Sequence, residues 1–220
     1  YIASEALKID LHRRLALTES EDELRELQAA TEDRFELTIR EEGIDDDLLV
    51  LARSDEGRLR LAAEPLAVSK LLETVARRFG TRADGVGRRL EVDVPADASV
   101  LGDPLRLEQA LGNLVDNALR YGAGTVRLEG RSENGLVALR VTDEGAGFPR
   151  DFLPRAFERF SRADESRARG SAGLGLALVE AIAHAHGGTA SAGNRAGGGA
   201  EVTLSVPSSD SHPGAVASAT

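Results

Sequence analysis

Asp143-Glu-Gly145-Ala-Gly147-Phe-Pro sets one carboxylate beside two glycines. A fixed carboxylate accepts a hydrogen bond from the exocyclic amine of adenine, a group that guanine does not present in the same place. Glycines, having no Cβ, let the backbone take positive φ and approach a base closely. Upstream, Asn113-Leu-Val-Asp116-Asn117 places two amides at i and i+4 on one helix face, with Asp116 and Arg120 as a second such pair beside them. An amide oxygen is a neutral ligand for Mg²⁺, an ion that keeps several waters and completes its shell with phosphate oxygens. Downstream, Gly170-Ser-Ala-Gly173-Leu174-Gly175 opens a helix, and backbone N–H groups at a helix N-terminus make an anion site. Asp-x-Gly-x-Gly alone equally describes a turn after a strand. With the two other clusters it points to a purine nucleotide site that does not use a P-loop.

The stretch between the glycine clusters, Phe152 to Arg169, is rich in arginine and reads as a mobile lid from 159 to 172. Arg159 or Arg162 is the candidate to stabilise charge on a γ-phosphate. Arg167 and Arg169 read as a solvated charge run, and Phe152, Phe157 and Phe160 as anchors for the base of the lid. Tyr121, at the end of the asparagine-bearing helix, is a candidate to pack near the base.

Composition closes off other chemistries. The chain has 220 residues, no cysteine and a formal net charge of -10, so it has no disulfide framework or thiolate site, and nucleic acid and anionic membranes are not expected partners. Its two lysines, Lys8 and Lys70, lie in no glycine-rich loop, which excludes a Walker A motif and a eukaryotic-type protein kinase. No apolar run approaches the roughly 18 residues of a membrane span, and the first residues lack a signal-peptide pattern, so these residues are expected to behave as a soluble piece without membrane contact of their own, whatever lies upstream.

The elements that must position these residues follow from period and punctuation. Residues 1–57 have a helical composition and read as two helices joined near Ser20 to Glu23, a capping box. The second carries Leu24, Leu27, Thr31, Phe35 and Ile39, then Ile44, Leu48 and Leu51 after a hop at Gly43 where an irregularity is expected. Such a hairpin leaves an apolar stripe that dimerisation into a four-helix bundle would bury. Residues 58–207 read as a second domain. Leu59 and Leu61 alternate with arginines as a short strand, and a helix follows Pro65 with Leu66, Val68, Leu71, Leu72 and Val75. Strands are expected at 90–94 and 100–102, a helix capped by Asp103 from Pro104 to about Tyr121, and a hairpin of 125–131 with 136–143 turning at Glu133-Asn-Gly135. An apolar helix from about Leu174 to His186 ends at Gly187-Gly188, and a last hairpin turns at Gly197-Gly-Gly199. Residues 208–220 are expected to be disordered. The fold class is α+β, a two-layer sandwich with helices on one sheet face.

Residues 58–207 resemble the catalytic, ATP-binding domain of sensor histidine kinases, within the group that includes DNA gyrase, heat-shock chaperones and mismatch-repair ATPases. Four motifs carry the resemblance in order: Asn113 to Asn117, Asp143 to Gly147, Phe157 to Phe160 and Gly170 to Gly175. It implies a Bergerat-type ATP-binding fold, an adenine contact at Asp143, Mg²⁺ at Asn117 with Asn113, a lid gripping ATP, and nucleotide contacts along Arg120, Tyr121, Gly145, Gly147, Gly170, Gly173, Leu174 and Gly175. It also implies a homodimer through the helical hairpin, a response regulator receiver domain as partner and a cytoplasmic location, as the cytoplasmic part of a membrane-anchored sensor where a span precedes it. The ATPases of the group carry a glutamate as general base where this chain has Asn113, which favours phosphoryl transfer over hydrolysis. The hairpin resembles the family's dimerisation and phosphoacceptor domain at Asp46 to Arg53, yet the acceptor motif His-Glu-x-x-x-Pro-Leu is missing. Glu5 stands where its histidine belongs and Asp10 where its proline does. His12 has no acidic neighbour and reads as a surface histidine; His184 and His186 read as structural. The alternative is a degenerate nucleotide-binding regulatory module that has lost its acceptor, and a third reading, an ATP-hydrolysing machine, is disfavoured by Asn113.

Overall fold

The computed structural model describes residues 46–55, 57, 59–95, 98–163 and 173–209. Glu5, His12, the first helix of the expected hairpin, its Ser20 to Glu23 joint, most of its second helix with Gly43, the lid from 164 to 172 with Arg167, Arg169 and Gly170, and the tail from residue 210 lie outside the described residues. Among those described, no helix is long and apolar enough to cross a membrane.

The elements run α1 (Asp46–Asp55), β1 (Glu64–Ala67), α2 (Val68–Gly85), β2 (Leu90–Asp93), β3 (Ser99–Gly102), α3 (Pro104–Tyr121), β4 (Val126–Glu133), β5 (Leu136–Thr142), a 3₁₀ turn (Leu153–Arg155), α4 (Gly175–Ala185), β6 (Thr189–Asn194) and β7 (Ala200–Pro207). They belong to a compact unit that spans Asp47–Thr220. Helix α1 adds Val50 and Leu51 to the core of this unit.

A five-stranded mixed sheet has the order β2-β4-β5-β7-β6, parallel between β2 and β4 and antiparallel elsewhere. Alternation divides its faces. Val126, Leu128, Val137, Leu139, Val202, Leu204 and Val206 point inward and are buried with the apolar stripes of α2, α3 and α4. Arg127, Arg131 and Arg140 face outward and pair with Glu91, Asp93 and Glu133. One face apolar under helices and one face charged is the two-layer α+β sandwich expected.

Helix α3 begins where its cap requires. Asp103 accepts the Arg106 N–H at 3.1 Å through Oδ1, and Pro104 occupies a first-turn position where its missing N–H costs nothing. Leu107, Ala110, Leu111, Leu114, Val115 and Ala118 then recur on the buried side, which leaves Asn113 and Asn117 on an adjoining one. The β4–β5 turn also follows its sequence: Asn134 (φ 51°) and Gly135 (φ 79°) both take the left-handed conformation that a two-residue hairpin demands.

Two expectations are corrected. Leu59 to Leu61 form no strand; the strand is Glu64–Ala67, paired with Ser99–Gly102, and Leu66 lies in it, so α2 starts only at Val68. A strand with one partner tolerates Pro65, whereas the Arg-Leu alternation before it finds no neighbouring strand to pair with. The tail is ordered one step further than expected, because Ser208 donates its N–H to the Gly135 carbonyl and bridges to Val100.

His186 is structural in a specific way. Buried at the end of α4, it donates from Nδ1 to the Ile182 carbonyl and accepts the Asp103 N–H at Nε2, 3.0 Å away. The bond accepted at Nε2 requires the neutral ring, whereas the Nδ1–H donor would survive protonation. Burial lowers its pKa, opposed by the Ile182 carbonyl and the Asp103 charge. The folded value lies below the unfolded one, so the unfolded chain takes up the proton first. The stabilisation is complete above about pH 6.5 and is lost as pH falls below it. Urea unfolding at about pH 5.5 and 7.5 should show a steeper loss for the native chain than for His186→Asn, and parallel losses would remove His186 as the cause.

Candidate functional site

A cavity of about 420 Å³ opens between α3, the loop after β5 and the start of α4. Leu114, Val141, Phe152, Leu176 and Val202 give it an apolar lining, and Asn117, Tyr121, Asp143, Ser161 and Arg162 add polar groups. A mostly apolar cleft with a few polar groups is the usual form of a small-molecule site.

Asp143 is 5% exposed, at the end of β5. Its Oδ1 accepts the Gly145 N–H at 2.6 Å, an Asx turn that fixes the carboxylate beside the cavity. The wall opposite is Gly122, where an added Cβ would lie 2.4 Å from the Asp143 Cγ, so only glycine permits this approach. Gly145 does not line the cavity; it packs behind Asp143, against Gly122 and Ala123.

Asn113 and Asn117 sit on α3 next to the first turn of α4. Asn113 donates from Nδ2 to the Gln109 carbonyl, and its Oδ1 lies 3.3 Å from where a Gly175 Cβ would be; Asn117 Nδ2 lies 3.7 Å from the same point. Asn117 lines the cavity and Asn113 stands at its margin. Gly173 (φ 70°) abuts the backbone of Phe160 and Ser161, joining the start of α4 to the base of the expected lid.

Tyr121, Gly147, Gly173, Gly175 and Arg162 join Asn117 and Asp143 around the cavity. Arg120, Leu174 and Arg159 do not line it. Arg120 pairs with Asp116 at 3.5 Å, Leu174 is buried ahead of α4, and Arg159 forms an ion pair with Asp55 of α1.

Some contributors carried no readable signal. Asn194, on the last position of β6, accepts the Phe148 N–H at 2.6 Å and donates to the Phe148 carbonyl at 2.8 Å, and Arg195 donates to the Asp143 carbonyl at 3.0 Å. Phe148, so held, stacks on Phe152 at 5.8 Å and lines the cavity. Nothing local marks a pairing across 46 residues. Gly122 did have a signal, since a glycine directly after a helix is a common stop.

The fold and its motifs have known counterparts. The family described as histidine kinase-, DNA gyrase B- and HSP90-like ATPase matches residues 102–210. The sensor histidine kinase component HK1 of Mycobacterium tuberculosis H37Rv is 42% identical over 137 residues, which cover 62% of this chain and 79% of that protein.

The chain belongs to the sensor histidine kinases.

A probable sensor histidine kinase of M. tuberculosis CDC 1551 is 40% identical over 183 residues, 83% of this chain and 47% of its own length. This histidine kinase chain therefore spans about half of that relative. Among solved structures, full-length ShkA in complex with AMPPNP aligns with a TM-score of 0.68 at 29% identity, covering 94% of this chain and 45% of that one. The Acinetobacter baumannii histidine kinase AdeS aligns at 0.63 and 25% identity, covering 93% and 94%.

The residues of this histidine kinase site suit a magnesium nucleotide. Ser161 Oγ is buried at the cavity wall with no hydrogen-bond partner among the described residues, and an unmet hydroxyl costs about 1–3 kcal/mol that a ligand oxygen would offset. Phe160 beside it holds φ 61°, a strained conformation for a bulky side chain and one that clusters at active sites, ligand clamps and switches. Neutral amides beside a helix N-terminus accommodate a cation and an anion together.

Proposed function

We propose that this chain is the catalytic region of a homodimeric sensor histidine kinase that binds Mg-ATP in the cavity and passes the γ-phosphoryl group to a histidine. A response regulator's aspartate would then receive it. The observation that carries this reading is the buried Asp143 carboxylate facing the same cavity as Asn117.

Each residue contributes a distinct step. Asp143 accepts the adenine amine and, through its bond from Gly145, is already oriented when the base arrives. Tyr121 lines the cavity next to Gly122 in the chain and would pack on the base. Asn117, with Asn113, would hold Mg²⁺, whose chemistry here is to neutralise charge shared by the phosphate oxygens. The N–H groups at the start of α4 receive the phosphates, and Arg162 adds a guanidinium at the lid end of the cavity. The imidazole nitrogen–phosphorus bond forms as the bond from the γ-phosphorus to its bridging oxygen breaks, and ADP departs. Asn113, an amide that takes up no proton, offers no base for water, which favours this transfer over hydrolysis.

Glu5 at the acceptor position favours a second reading, a nucleotide-binding regulatory module without its own acceptor. Incubation of the chain with γ-labelled ATP and Mg²⁺ separates the two. Acid-labile, base-stable label on the chain supports a phosphohistidine within it. ATP binding without label supports the regulatory module, and sustained phosphate release would overturn both in favour of hydrolysis.

A further inference from the structure

Arg88 lies in the short connection between α2 and β2, away from every motif that marks the cavity. Its guanidinium nevertheless reaches the back of the cavity wall. Nη1 donates to the Ala118 carbonyl at 2.5 Å, Nη2 to Ala123 at 2.7 Å and Nε to Gly124 at 2.9 Å. All three acceptors belong to the end of α3 and the turn that follows it.

The same carbonyls are tied to the other side of the site. Ala118 O also accepts the Gly122 N–H, and Ala123 O also accepts the N–H of Glu144, the residue after Asp143. Glu144 in turn accepts the Thr125 N–H at 3.0 Å through Oε2. The Ala118–Gly124 segment is therefore gripped from behind by Arg88 and from in front by the Asp143–Glu144 strand end. Between these two grips stand Ala118, Tyr121 and Gly122, which line the cavity, with Gly122 against Asp143.

The three bonds leave three different nitrogens of one rigid plane, and a lysine ammonium, with its donors on a single nitrogen, cannot reproduce that geometry. The positive charge also complements the carbonyl end of α3. We propose that Arg88 is a positioning residue for the base end of the cavity, setting the spacing between the Ala118–Gly124 wall and Asp143 and thereby the selectivity for adenine. The inference rests on the nucleotide reading of the cavity.

The test compares the native chain with Arg88→Gln and Arg88→Lys, titrating each with Mg-ATP and with Mg-GTP by calorimetry and following cooperative thermal unfolding in parallel. Loss of the fork should weaken ATP about fivefold or more. It should also narrow the ATP-to-GTP preference, a ratio that a general loss of folded protein would leave unchanged. Arg88→Lys keeps the charge and the stem, so it decides the matter if the glutamine variant does not fold. A folded variant whose ATP affinity and base preference stay within about twofold of native, or failure of the lysine variant to fold, overturns the positioning role. Absence of ATP binding by the native chain would overturn the reading of the cavity itself, and this inference with it.

Discussion

Asp143→Asn is expected to weaken ATP binding by about 10- to 100-fold while leaving the fold intact. The exchange is nearly isosteric, and the Gly145 N–H still finds an oxygen at 2.6 Å, so the loop keeps its shape. What changes is the second atom of the group, which turns from an acceptor into an NH₂ donor facing the amine donor of adenine. A hydrogen bond to a charged group contributes about 1.5–3 kcal/mol, and two opposed donors in a cavity that holds Asp143 at 5% exposure have little water to turn to. At about 1.4 kcal/mol per decade this gives the stated range. Calorimetric titration of the variant with Mg-ATP measures it directly. An affinity equal to the native one would remove Asp143 from base recognition.

Asn117→Ala is expected to abolish the dependence of ATP affinity on Mg²⁺ and to lower phosphoryl transfer by at least about 100-fold, since a lost cation clamp removes several kcal/mol of charge stabilisation. Alanine is the best helix former, so α3 should not suffer from the change. Asn113 remains at the margin of the cavity, with its Nδ2 committed to the Gln109 carbonyl. Titrations with and without a chelator separate the metal contribution from that of the base. A variant that still gains as much from Mg²⁺ as the native chain would show that another group holds the ion.

Much of this site was legible because its parts are local. Asp103 and Pro104 announce the start of α3, the i and i+4 spacing then fixes where Asn113 and Asn117 project, and Asn134-Gly135 can hardly be anything but a hairpin turn. What escaped was decided by partners distant in the chain. β1 exists because Ser99–Gly102 lies beside it, a fact absent from the Glu64–Ala67 segment itself. Asn194 looks like any residue at a strand end until Phe148 is brought opposite, and Arg88 like any surface arginine until three carbonyls converge on it. Arg159 shows the converse. Its place at the start of the lid suggests phosphate, and in this structure it pairs with Asp55, more than a hundred residues earlier.

The sheet ends in β2 on one side and β6 on the other. An open strand edge offers unpaired backbone groups on which another molecule can stack, a hazard for any protein that works as a close pair. Both margins discourage this. β2 is only four residues long and carries Glu91 and Asp93, while β6 reads Thr-Ala-Ser-Ala-Gly-Asn, without one large apolar side chain to anchor an added strand. Two copies of this domain can therefore collide repeatedly without fusing into a continuous ribbon, because neither margin gives an added strand the length or the apolar grip to stay.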